Sequence, residues 1–185
     1  GDTKFVSFAS LSDDAYKRTI TINGFSKTFA MTGWRLGYTA GPLEVIKAMD
    51  RLQGHMTQNP VSFVQAGGLA TFSDPNNEVE KMRLEFEKRA KYMAERLNAL
   101  AGVKCPQPTG AFYCFPDVSA HYGRTIGGVK IQNSMDFASA LLEQAGVAIV
   151  PGGPFGCDKN VRLSFATSME QIAKGLDRLE KWLKN

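Results

Sequence analysis

Asn23-Gly24-Phe25-Ser26-Lys27-Thr28-Phe29-Ala30-Met31-Thr32-Gly33-Trp34-Arg35-Leu36-Gly37-Tyr38 is the stretch on which the reading of this chain turns. It sets Lys27 between Phe25 and Phe29, and Arg35 eight positions later between Gly33 and Gly37. Burial beside apolar rings disfavours an ammonium ion and frees the nucleophilic amine, so Lys27 is a candidate imine-forming residue. The planar fork of a guanidinium suits phosphate oxygens, so Arg35 is a candidate for holding a phosphate on the same ligand. A small molecule with both an aldehyde and a phosphate would use the pair. Taken bare, the two residues also read as solvated cations, or as a buried paired lysine and a structural arginine.

Just upstream, Thr19-Ile20-Thr21-Ile22-Asn23 alternates β-branched residues and is expected to be a strand that delivers Lys27, with Asn23-Gly24 as its turn. Gly37-Tyr38-Thr39-Ala40-Gly41 is expected to be a second short strand. Pro42 then suits the first position of a helix carrying Val45, Ile46, Met49 and Leu52 on one face, and another helix is expected over 61–72. After the breaker run Ser73-Asp74-Pro75-Asn76-Asn77, apolar residues at Val79, Met82, Phe86, Ala90, Met93, Leu97 and Leu100 recur by threes and fours. They predict a long helix with one core-facing seam, stopped at Gly102.

Downstream, strands are expected over 111–115, 147–150 and 161–165, and Ser134 is placed to cap a helix running to Gln144. Ser168-Met169-Glu170-Gln171 has capping-box spacing ahead of Ile172, Leu176, Leu179 and Leu183. Alternation of strands and helices gives an α/β fold class.

Composition excludes several functions. With 185 residues, 43% of them hydrophobic, the chain can build one good core or two small ones. Its net charge of +4 comes from cations interspersed with acids, as in Lys81-Met82-Arg83-Leu84-Glu85-Phe86-Glu87-Lys88-Arg89, which suits a solvated helix better than a nucleic-acid groove. No apolar run is long enough to cross a bilayer and no signal sequence opens the chain, so neither nucleic acid nor membrane is an expected partner, and a cytoplasmic location is expected. Three cysteines without C-x-x-C spacing and only two histidines, His55 and His121, give no pattern for a metal or a disulfide framework.

Ser26-Lys27-Thr28-Phe29 with Gly33-Trp34-Arg35-Leu36-Gly37-Tyr38 resembles the cofactor-lysine motif of the class I/II aminotransferases, which have fold type I and use pyridoxal 5'-phosphate. The match to the bacterial-type aspartate aminotransferase subgroup is especially close. It continues through Gly41-Pro42, Gly110-Ala111-Phe112-Tyr113, Val150-Pro151-Gly152 and Val161-Arg162-Leu163-Ser164-Phe165-Ala166, in the family's order. The resemblance implies that Lys27 is the Schiff-base and proton-transfer residue, that Arg35 binds the cofactor phosphate, and that Arg162 binds the substrate α-carboxylate. By the residues alone, Arg162 also reads as a solvated edge-strand arginine. Gly24 departs from members that place a phosphate-touching serine there, although its backbone N–H could serve instead. Gly152-Gly153-Pro154-Phe155-Gly156 resembles the family's loop over the active site and suggests Phe155 as a substrate neighbour, whereas Phe112 and Tyr113 are expected in the core.

Only 26 residues precede Lys27, whereas the family motif sits beyond the middle of a longer chain. The resemblance therefore implies the C-terminal part of such an enzyme: residues 1–74 from the end of the large cofactor-binding domain and 75–185 forming the small domain. The rest of the site would lie upstream, so the chain by itself is expected not to transaminate. The implied reaction moves an amino group between an amino acid, aspartate by subgroup, and a 2-oxo acid, 2-oxoglutarate by subgroup, in a homodimer. Alternatives are a lyase using the same cofactor and fold, or a non-catalytic regulatory domain.

Overall fold

A computed structural model describes all of residues 1–185. The chain divides into two compact units, Asp2–Lys81 and Met82–Asn185, with Gly1 joined to the second.

The first unit runs through α1 (Asp13–Arg18), β1 (Thr21–Gly24), the single turn α2 (Phe25–Thr28), β2 (Gly37–Ala40), α3 (Leu43–Met56) and α4 (Ser62–Thr71). Ser12 caps α1 by accepting the Ala15 N–H at 3.0 Å. Strand β1 starts at Thr21 and not at Thr19, because the Thr19 hydroxyl closes α1 by donating to the Ala15 carbonyl at 2.6 Å. β1 and β2 pair antiparallel from Thr21↔Ala40 to Gly24↔Gly37. Gly24 is therefore a strand residue that hands the chain directly to α2, and the turn expected at Asn23-Gly24 is absent. Pro42 stands just ahead of α3 as its cap, with extended ψ, and not inside the helix.

The second unit contains most of α5 (Glu78–Asn98), then β3 (Tyr113–Cys114), β4 (Thr125–Ile126), β5 (Val129–Lys130), α6 (Ser134–Ala145), β6 (Val150–Pro151), β7 (Val161–Ser164) and α7 (Met169–Leu183). Asp74 starts α5, its carboxylate accepting the N–H groups of Glu78 at 2.8 Å and Val79 at 3.2 Å. The α5 seam buries Ala90, Met93, Ala94 and Leu97, while Val79, Met82 and Phe86 in the earlier turns are only half-buried. Ser168 caps α7 as its spacing predicts, accepting the Gln171 N–H at 3.2 Å. α6 is capped instead by Asn133, which accepts the Asp136 N–H at 2.9 Å, so Ser134 is released for another role.

β7 is the centre of a three-stranded antiparallel sheet ordered β3-β7-β6. Its alternation puts Val161 and Leu163 into the core and leaves Arg162 and Ser164 on the other face. Phe137 of α6 and Trp182 of α7 meet edge to face at 5.0 Å, and the indole N–H donates to Gln144 at 2.8 Å, satisfying the one polar atom of that buried ring. No helix is long and apolar enough to cross a membrane.

Candidate functional site

Each unit carries candidate residues of its own. In the first, Lys27 and Arg35 lie on the connection between β1 and β2, Lys27 in the α2 turn that leaves β1 and Arg35 two residues before β2. Phe25 and Phe29, four apart on that turn, share a face at 5.5 Å and join Tyr38 and Phe72 in an aromatic cluster. Phe25 is buried, but Lys27 is exposed in this chain, which differs from the burial its neighbours suggested. The reason is helical spacing: positions i and i+4 share a face, and the residue between them does not.

Arg35 is held unusually. Its φ of +53° lies in the left-handed region, strained for a residue with a Cβ, and its Nη1 donates to the Thr32 carbonyl at 3.1 Å. Both neighbours are docked on α4, where a Cβ on Gly67 would strike the Trp34 ring and one on Gly68 would strike Leu36. Two adjacent glycines thus make a flat patch that seats Trp34 and Leu36 and keeps Arg35 turned out between them. Arg35 remains exposed, with the rest of its fork available. The Gly24 N–H, considered above as a phosphate donor, is already given to Asn23 Oδ1 at 2.8 Å.

In the second unit, Arg162 lies on the central strand, which removes the edge-strand reading. Tyr113 pairs with Ser164, so it is the diagonal neighbour of Arg162 on the same face. The guanidinium carbon sits 4.4 Å from the Tyr113 ring centroid and 4.8 Å from that of Phe155. Two aromatic faces clasp the guanidinium. Phe112 packs against the core as expected, but Tyr113 does not: strand alternation sends it to Arg162. Strand alternation sets Tyr113 opposite the buried Cys114.

Phe155 comes from a tightly folded loop over 152–158. The Phe155 and Cys157 N–H groups donate to the Gly152 carbonyl at 2.9 and 3.2 Å, and a Cβ on Gly152 would collide with the Asn160 and Cys157 carbonyls. Glycine is required there by close approach, not by φ.

In the first unit an amine and a guanidinium on one connection suit an aldehyde and a phosphate, and in the second a ring-clasped guanidinium on a β-strand suits a carboxylate. The family model described as aminotransferase class I and II matches residues 1–179. An aspartate aminotransferase of Geobacillus stearothermophilus is 42% identical over 184 residues, covering 100% of this chain and 46% of that protein. An aspartate/prephenate aminotransferase of Cereibacter sphaeroides is 43% identical over 180 residues, 97% of this chain and 45% of its own length. Among solved structures, the aspartate aminotransferase of Rhizobium meliloti matches with a TM-score of 0.94 at 37% identity, over 100% of this chain and 46% of that one. The aromatic aminotransferase of Pyrococcus horikoshii matches at 0.89 and 39%, over 100% and 48%. The chain thus spans about half the length of the relatives it matches, and the α/β architecture is that part of fold type I. A match running from Gly1 into the final helix, in sequence and in fold together, means that the chain belongs to the class I and II aminotransferase family.

Proposed function

We propose that this chain supplies the C-terminal part of an enzyme that moves an amino group between aspartate and 2-oxoglutarate with bound pyridoxal 5'-phosphate. The observation that carries the reading is the placement of Lys27 and Arg35 on one connection between two strands paired in register. Lys27 would hold the cofactor through its amine and Arg35 through its phosphate. When bound, the cofactor supplies an aldehyde for covalent capture of an amine and a ring that stores the electron pair left at a deprotonated carbon.

The chain's own residues then have three tasks. Once an incoming amine has displaced it, Nζ of Lys27 would take the proton from the substrate Cα and deliver it to the carbon that carried the cofactor's aldehyde oxygen, one side chain serving first as base and then as acid. Arg35 anchors the phosphate end, so that proton transfer is between positioned groups. Arg162 grips the α-carboxylate, which amino acids and 2-oxo acids share, so one site serves both halves of the reaction. Tyr113 and Phe155 hold the guanidinium through their rings.

In this reading residues 1–74 belong to the large cofactor-binding domain and 75–185 to the small domain, and the whole protein is a cytoplasmic homodimer. The exposed apolar residues of the first unit, among them Phe5, Phe8, Leu43, Leu52 and Phe63, support packing against further protein.

Incubation with pyridoxal 5'-phosphate, borohydride reduction and peptide mapping tests the assignment. The label is expected on Lys27, to be lost in Lys27→Ala and weakened in Arg35→Ala. Labelling spread evenly over the other lysines, both in this chain and in one extended upstream, would overturn it.

A further inference from the structure

Ser134 occupies the first turn of α6 but does not cap it, and it is only 1% exposed. A hydroxyl so buried must find partners. It donates to Asp158 Oδ1 at 2.6 Å, and the Ser134 N–H reaches the same oxygen at 3.2 Å. Its Oγ in turn accepts the Gly153 N–H at 3.2 Å. One buried serine therefore ties together both ends of the loop over 153–158, and the Tyr122 hydroxyl adds a bond to the Asp158 carbonyl. A Cβ on Gly153 would lie 3.3 Å from Asp158 Oδ1, so the tie is closely packed.

Phe155 stands between the two tied points. It is 51% exposed, so burial alone does not fix it, yet its ring lies over Arg162 and meets Phe115 edge to face at 6.2 Å. We propose that Ser134 and Asp158 are positioning residues: by pinning the loop they hold Phe155 against Arg162 and so pre-orient the guanidinium for a carboxylate. The inference rests on the reading of Arg162 as the α-carboxylate site. Neither residue touches substrate. The coupling runs from α6 through the loop to the ring and then to the guanidinium, and without it the fork would have to be ordered at each binding event.

The test uses the 185-residue chain labelled with nitrogen-15, following the Arg162 Nε–H resonance, identified by its loss in Arg162→Lys. Ring currents from Tyr113 and Phe155 should displace that resonance, and Phe155→Ala gives its position with half the clasp removed. Asp158→Ala is expected to move the resonance to the Phe155→Ala position and to weaken the response to added succinate several-fold. Asp158→Asn, which keeps the Oδ1 acceptor, should restore both. Asp158 is exposed and α6 keeps its Asn133 cap, so the fold is not at stake, and the Trp182 indole resonance checks it. An Arg162 resonance unmoved in Asp158→Ala, with Trp182 native, would overturn the inference. A resonance that depends on Asp158 but never responds to succinate, even in the parent chain, would uphold the tie and reject the carboxylate reading.

Discussion

Helices α3 and α5 carry similar apolar periodicity and meet different fates. In α5 the last three turns close onto Leu141, Phe165, Leu176 and Trp182 in a continuous core. α3 buries none of its residues, and Val45, Met49, Leu52 and Met56 stay exposed. An amphipathic stripe states that a helix has a face to bury; whether it is buried depends on what the fold brings against it. The second unit brings two helices and a sheet to one cluster, whereas β1 and β2 form a two-stranded ladder without a third strand.

Each unit holds one of the two tryptophans, Trp34 in the first and Trp182 in the second, so the contrast can be read separately on each side. The largest effect is expected from Leu97→Ala, at a fully buried position, which should cost roughly 2–5 kcal/mol in a denaturant titration followed through Trp182. Gly68→Val should cost about 1–3 kcal/mol, because its Cβ enters the space of Leu36 on the patch that seats Arg35; Trp34 emission reads it. Ser168→Ala removes the cap of α7 and should cost about 1 kcal/mol at Trp182.

A graded effect comes from pH. Burial, then the Arg124 guanidinium, hold the His121 imidazole below its usual range, with Arg124 donating to Nδ1 at 2.8 Å. The unfolded chain therefore takes up the proton first, and stability of the second unit should fall as pH drops through about 6.5 and below. His121→Gln should flatten that slope in melts recorded between neutral and mildly acidic pH. The smallest effect belongs to Leu52→Ala on α3, expected within about 0.5 kcal/mol of the parent by the same titration read at Trp34. A cost there as large as that of Leu97→Ala would erase the distinction between the two helices.

The local placement of the candidate residues was legible because they sit in short motifs: Lys27 and Arg35 in one connection, Arg162 inside a strand with alternating burial. Their surroundings were less so. Lys27 reads as buried beside Phe25 and Phe29 until helical spacing leaves it exposed, and Tyr113 reads as core until strand pairing turns it toward Arg162. Gly67 and Gly68 carry no signal by themselves, since what requires them is the arrival of Trp34 and Leu36 from a distant part of the chain.

Elements with local causes can be read directly from the residues: the seam of α5, the serine cap of α7, the strand that carries Arg162, and the connection that carries Lys27 and Arg35. Which apolar faces are covered, which rings clasp Arg162, and that Ser134, freed from capping by Asn133, ties to Asp158 all follow from the folded chain. The physical reason is range. Caps and periodicity act between residues a few positions apart, whereas clasp, tie and core join residues brought together by chain closure, a geometry that no short window of sequence contains.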